Sequence, residues 1–156
     1  PRGQGVMPSW RTAFEEIEVG KGRKIKDGEG VAILTFGHIG NYAVEACDHL
    51  EKQGINPAHY DLRFAKPLDE EMLHEVFANF SKIVTVEDGC IQGGIGSAVL
   101  EFMADNNYSA EVRRLGIPDE IVEHGEQLDL HKECGFDAEG IANAVISLHI
   151  SAKAIV

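Results

Sequence analysis

The run Val31-Ala32-Ile33-Leu34-Thr35-Phe36, bounded by Gly30 and Gly37, most constrains what this chain can become. A strand exposed on one face alternates apolar and polar residues, whereas a nearly unbroken apolar run needs cover on both faces. Ala43, Val44, Ala46, Cys47 and Leu50 then recur at helical spacing, with Asn41 as the expected cap and Gly54 as the stop. The same alternation repeats down the chain. His59–Arg63 is a short strand, and Pro67-Leu68-Asp69 opens a helix in which Asp69 caps the amides, Glu70 and Glu71 suit the positive end, and Met72, Leu73, Val76 and Phe77 form the buried stripe. Lys82–Glu87 is the clearest strand after the first. A glycine-rich loop leads from it to a helix carrying Val99, Leu100, Phe102 and Met103, and Glu111–Leu115 is a further strand. Ile117 to Leu128 reads as a long loop, followed by a short helix to Gly135 and a last helix capped by Asp137, with Ile141, Ala142, Val145, Ile146 and His149 facing inward or toward a partner. Strand and helix alternating in this way call for an α/β fold with a parallel sheet and helices on both faces.

Residues 1–30 follow a different pattern. Pro1, Gly3, Gly5 and Pro8 break regular structure, Trp10, Phe14, Ile17 and Val19 share no period, and Arg23-Lys24-Ile25-Lys26 reads as a short exposed edge strand. The expected division is an interdomain linker and edge segment over residues 1–28 and one α/β domain over 29–156. Opening mid-segment at Pro1-Arg2-Gly3 and lacking a complete catalytic constellation, the chain is expected to be a domain of a larger enzyme.

Composition narrows the function. The formal net charge is −12, and residues 31–156 carry 8 basic against 21 acidic groups, which repels phosphate backbones; nucleic-acid binding is not expected. No apolar run approaches the roughly 18 residues of a membrane span, so no membrane partner is expected and the cytoplasm is the expected location. Cys47, Cys90 and Cys134 are odd in number and widely spaced, fitting reduced, mostly buried thiols better than a disulfide framework or a zinc site.

In parallel α/β sheets ligands collect beyond the carboxyl ends of the strands. The segments there are Gly37–Gly40, Arg63–Lys66, Glu87–Gly96 and Ile117–Gly125. Gly93-Gly94-Ile95-Gly96-Ser97 opens a helix and is either a tight turn with close helix packing or an anion cradle of backbone amides; it matches neither a phosphate loop nor a dinucleotide fingerprint. Glu87 and Asp88 are either a carboxylate pair for acid/base work or, because neighbours on an extended chain point to opposite sides, separate groups, one of them pairing with Arg63 or capping the glycine loop. His38 and His124 are candidate proton carriers whose plainer role is a structural hydrogen bond. His49, His59, His74, His131 and His149 read as helix or strand-surface residues. No His/Asp/Glu spacing indicates a metal. Arg2, between Pro1 and Gly3, is either a solvated charge or a grip for a phosphate or carboxylate.

Several motifs in order carry a family likeness: Pro1-Arg2-Gly3, Gly20-Lys21-Gly22-Arg23, Val31–Leu34 with Gly37, Asp61-Leu62-Arg63-Phe64-Ala65-Lys66-Pro67-Leu68-Asp69, Val84-Thr85-Val86-Glu87-Asp88-Gly89, Gly93–Ser97, Gly116-Ile117-Pro118-Asp119 and His124-Gly125. Together they resemble the C-terminal domain of the 1-deoxy-D-xylulose-5-phosphate synthases, thiamine diphosphate enzymes related to transketolase, over nearly the whole chain. Arg-Phe-Ala-Lys-Pro-Leu-Asp is the most specific piece.

The resemblance implies a mostly parallel sheet of about five strands with one antiparallel edge strand, in a domain whose task is packing a homodimer. It implies a longer enzyme that condenses pyruvate with glyceraldehyde 3-phosphate, giving 1-deoxy-D-xylulose 5-phosphate and carbon dioxide for isoprenoid, thiamine and pyridoxal synthesis. Thiamine diphosphate and Mg2+ would be bound outside this chain, and this chain alone would be inactive. Arg2 would be its one substrate residue, holding the aldehyde's phosphate. The C-terminal domain of a 2-oxoacid dehydrogenase β subunit or a transketolase, and a stand-alone anion-binding module, remain as alternatives.

Overall fold

A computed structural model describes residues 16–151. Five strands form one sheet: β1 (Arg23–Lys26), β2 (Ala32–Phe36), β3 (Ala58–Asp61), β4 (Lys82–Cys90) and β5 (Glu111–Ile117), in the spatial order β1-β3-β2-β4-β5. β1 runs antiparallel to β3, and every other pair is parallel. Helices α1 (Gly40–Glu51), α2 (Glu70–Asn79), α3 (Ile95–Asp105), α4 (Gln127–Glu133) and α5 (Ala138–Ser151) complete the fold.

The apolar run of β2 is central because both of its faces are used. Ile33, with Val84 and Val86 of β4, packs into one core with Ala43, Ala46, Cys47 and Leu50 of α1 and Ile141, Val145 and Leu148 of α5. Ala32 and Leu34, with Ile83, pack into the other core with Leu73, Val76 and Phe77 of α2 and Ile95, Val99 and Phe102 of α3. The two-residue period of a strand divides one run between two layers. α2 begins as the sequence requires, since Asp69 accepts from the Met72 amide at 3.0 Å; its second oxygen accepts from the Gly22 amide at 2.9 Å and ties the approach to β1 onto this helix. Asp137 likewise accepts from the Gly140 amide at the head of α5.

Several local expectations are corrected. α1 starts at Gly40 without a side-chain cap, because a 3-10 turn over Gly37–Ile39 feeds into it and the turn's own carbonyls take the Gly40 amide; Asn41 caps nothing. That turn also puts Ile39 rather than Val44 in the core, and Val44 is exposed. β4 and β5 extend beyond Glu87 and Leu115, since their ladder resumes at Cys90 and Ile117 after an irregularity. Of the three thiols Cys47 is buried, Cys134 is half-buried and Cys90 is exposed at the end of the extended strand. His59 is no surface residue: it is 1% exposed on β3, with its Nε2 2.9 Å from the Thr35 hydroxyl. No helix among the described residues is long and apolar enough to cross a membrane.

Candidate functional site at the sheet switch point

β2 leads to β3 on one side and β4 leads to β5 on the other, so the order of the sheet turns between β2 and β4. Beyond β2 the chain enters α1 on one face, and beyond β4 it enters α3 on the opposite face. Two neighbouring strands whose continuations part in this way leave a crevice at their carboxyl ends.

Glu87 and Asp88 both stand there, and they do not work as a pair. Glu87 is 5% exposed and turns toward α3, where one carboxylate oxygen accepts from the Ile95 amide at 2.8 Å and the other from the Gly96 amide at 2.9 Å. The protein's own carboxylate thus occupies the positive end of α3, the place the glycine loop offers to an anion. Gly94 makes room for it, since a Cβ there would stand 2.1 Å from Glu87 Oε2; a Cβ on Gly96 would instead stand 2.5 Å from Thr85 Oγ1. Ser97 and Arg114 lock the loop from behind. The Ser97 hydroxyl donates to the Ile91 carbonyl at 3.0 Å, and the Arg114 guanidinium donates to that carbonyl at 2.7 Å and to Ser97 Oγ at 2.9 Å. Arg63 pairs not with Glu87 but with Asp61, at 4.0 Å, in a left-handed conformation with φ 55°.

Asp88 points to the other side, as successive strand residues do. Its Oδ2 lies 3.6 Å from His38 Nε2 and 3.8 Å from His131 Nε2. His38 is half-exposed on the 3-10 turn after β2, and His131 is buried on α4. The sequence gives little sign of His131, because α4 is seven residues long and its Leu128 is exposed, so no apolar stripe marks the buried side. Tyr42 of α1 holds the His131 ring in place: its hydroxyl is 3.1 Å from Nδ1, and its ring meets the imidazole edge-on at 5.7 Å, while Phe136 lies against the imidazole at 4.8 Å. Burial pushes the His131 pKa down, and the Asp88 carboxylate partly offsets this.

Two cavities flank the ridge formed by these groups. One of about 460 Å3 is bounded by Asp88, His131, His124, Cys134 and Phe136. The other, about 640 Å3, is mostly apolar and is bounded by Ile17, Ile25, Val44, Phe64, Arg63 and His38. His124 therefore shares a cavity with Asp88 and His131. Arg2 lies outside the described residues.

The five-stranded sheet with one antiparallel edge belongs to a known class: residues 20–141 match the transketolase C-terminal domain, and the chain belongs to that family. Within the class it is similar to 1-deoxy-D-xylulose-5-phosphate synthases. It is 68% identical over 95% of its length to the protein of that name from Cytophaga hutchinsonii, 52% identical over 94% to that of Phocaeicola vulgatus, and 40% identical over 93% to that of Vibrio vulnificus. The chain spans about a quarter of the length of these relatives, 23%, 23% and 22% respectively. Among solved structures, a split-gene transketolase, described as an inactive β4 tetramer, matches with a TM-score of 0.81 and 30% identity over 92% of this chain and 46% of that one. A Pichia stipitis transketolase shares the fold, with a TM-score of 0.63 and 22% identity over 86% of this chain and 18% of that one.

Proposed function

We propose that this chain is the C-terminal domain of a thiamine diphosphate-dependent transferase, a synthase that condenses pyruvate with glyceraldehyde 3-phosphate to 1-deoxy-D-xylulose 5-phosphate with release of carbon dioxide. The observation that carries this reading is the 68% identity, over 95% of the chain, to the Cytophaga hutchinsonii protein of that name. Glu87 fills the amides at the head of α3, so that loop has no free cradle for a diphosphate; this supports the reading that the cofactor and its magnesium are held by other parts of the longer enzyme. The domain's own work is packing within a cytoplasmic homodimer, with residues 1–28 as interdomain linker and edge segment and residues 29–156 as the packed domain. The mostly apolar hollow bounded by Ile17, Ile25, Val44 and Phe64 favours this role, since apolar side chains gathered around a concavity gain from being covered.

Arg2 is the one residue of the chain that touches substrate in this reading, its guanidinium gripping the aldehyde's phosphate. In the longer enzyme Arg2→Ala is expected to raise the KM for glyceraldehyde 3-phosphate about 10- to 150-fold, the worth of one charged hydrogen bond, and to leave that for pyruvate nearly unchanged. Equal effects on both substrates would remove Arg2 from the phosphate site. The 156-residue chain alone, supplied with thiamine diphosphate and Mg2+, is expected to leave pyruvate intact; turnover by it would overturn the assignment of a packing role.

A further inference from the structure

The crevice brings together three side chains that lie far apart in the sequence. One ligand atom from each of His38, Asp88 and His131 lies within 4.8 Å of the other two. Among the described residues no lysine or arginine pairs with Asp88; the cations it can meet are the two imidazoles. Two imidazole nitrogens and one carboxylate oxygen form a mixed donor set that suits a borderline divalent ion such as Zn2+ and does not suit Mg2+ or Ca2+, which favour oxygen donors.

The distances fit an ion between the donors better than direct contacts. At 3.6 and 3.8 Å the Asp88 oxygen stands beyond hydrogen-bond reach of both imidazoles. At bonds of about 2.0–2.1 Å, neighbouring donors around a tetrahedral zinc are about 3.3 Å apart. Closing on an ion therefore needs only a few tenths of an ångström at the carboxylate, and about 1.5 Å at most between the imidazoles. Freedom is distributed to allow that movement. His131 is buried between Tyr42 and Phe136, whereas His38 is half-exposed on a short turn and can swing.

The environment of His131 supplies a further requirement of a ligand. An imidazole that binds metal through Nε2 carries its proton on Nδ1 and needs an acceptor there. The Tyr42 hydroxyl is 3.1 Å from that nitrogen. Asp88 and His131 also line the cavity of about 460 Å3, which has room for water or an anionic ligand beside them.

We propose that His38, Asp88 and His131 form a binding site for a single Zn2+-class divalent ion, which clasps the turn after β2, the end of β4 and helix α4, with Tyr42 as the positioning residue for His131. The site stands independently of the function proposed above. Metal-free protein titrated with ZnCl2 by calorimetry, and with CoCl2 in the visible range, is expected to bind one equivalent. The cobalt form should show the intense d–d bands of a tetrahedral or five-coordinate site and no thiolate charge-transfer band. His38→Ala and Asp88→Asn, both at positions open to solvent, should each weaken binding at least about tenfold and keep the metal-free melting temperature near the parent value; Tyr42→Phe should weaken it about tenfold and leave the stoichiometry at one. Cys134→Ser should bind as the parent does. Absence of a stoichiometric site overturns the proposal. So does binding that survives both His38→Ala and Asp88→Asn, or that is lost in Cys134→Ser.

Discussion

Replacing Glu87 by Gln takes one acceptor oxygen and the whole negative charge from the buried head of α3 and leaves the volume almost unchanged. The carboxylate now accepts two amide hydrogens at 2.8 and 2.9 Å with 5% of the residue exposed, and hydrogen bonds to a charged group are worth about 1.5–3 kcal/mol each. In the variant one amide keeps a neutral carbonyl, and the other faces an NH2 group that offers it nothing, a buried donor left unsatisfied at a cost of about 1–3 kcal/mol. The favourable contact between the charge and the helix's positive end, about 0.3–1 kcal/mol, is lost as well. Glu87→Gln should therefore destabilise the domain by about 3–5 kcal/mol, lowering the melting temperature by roughly 10 °C at this size. Urea denaturation followed by circular dichroism measures the loss. Glu87→Ala offers a second readout, because it bares both amides: sodium formate should raise the denaturation midpoint of that variant more than it raises the parent's. A loss below about 1 kcal/mol in Glu87→Gln, together with no selective gain from formate in Glu87→Ala, would refute the view that this side chain is the anion the glycine loop is built to hold.

Stability should also respond to pH through His59, whose pKa is lowered from 6.5 to about 4, first by burial and then by the nearby positive charges of Arg23 and Lys26. The folded state keeps this imidazole neutral and the unfolded chain protonates it, so stability falls as pH drops from 6.5 toward 4, by at most about 3 kcal/mol from this group. His59→Gln should flatten the profile over that range when compared with the parent, and superimposable slopes would exclude His59 as the source. Gly28→Ala tests the turn before β2. An added Cβ would lie 2.2 Å from the Pro57 carbonyl carbon and 2.3 Å from the Ala58 nitrogen, both backbone atoms that cannot swing aside. A loss of about 2–3 kcal/mol in urea denaturation is expected, and a parent-like midpoint would contradict the close approach of these two segments.

What could be read from the sequence follows the physics of each feature. β2 and the first part of β4 announce themselves because strands covered on both faces must be continuously apolar. The α2 start is legible for a local reason: Asp69 followed by two glutamates is a signal contained in three consecutive residues. The cap of α1 was out of reach, since the 3-10 turn that replaces Asn41 leaves no mark in residue type. Burial of His59 and His131 is a tertiary outcome, decided by which neighbours the sheet and α4 bring up, and a histidine looks the same in sequence whether it faces water or Thr35. The opposite fates of Glu87 and Asp88 were legible as geometry, through the alternation of an extended chain. Capping of the glycine loop was one of the partners open to them, and Glu87 takes it with the α3 amides; the two distant histidines beside Asp88 were not legible.

β1 has a bearing on how the domain meets other proteins. Its four residues, Arg-Lys-Ile-Lys, run antiparallel along β3 and form one margin of the described sheet. Their cations are engaged by acids, Arg23 with Asp61, Lys24 with Glu75 and Lys26 with Glu51. Short, lysine-rich margins discourage a foreign strand from zipping on by backbone hydrogen bonds. β5, at the other margin, exposes the charged residues Glu111 and Arg113. An assembling partner is thereby steered away from strand addition and toward side-chain contacts on helices and loops, where specificity is set by shape and not by the generic chemistry of the peptide bond.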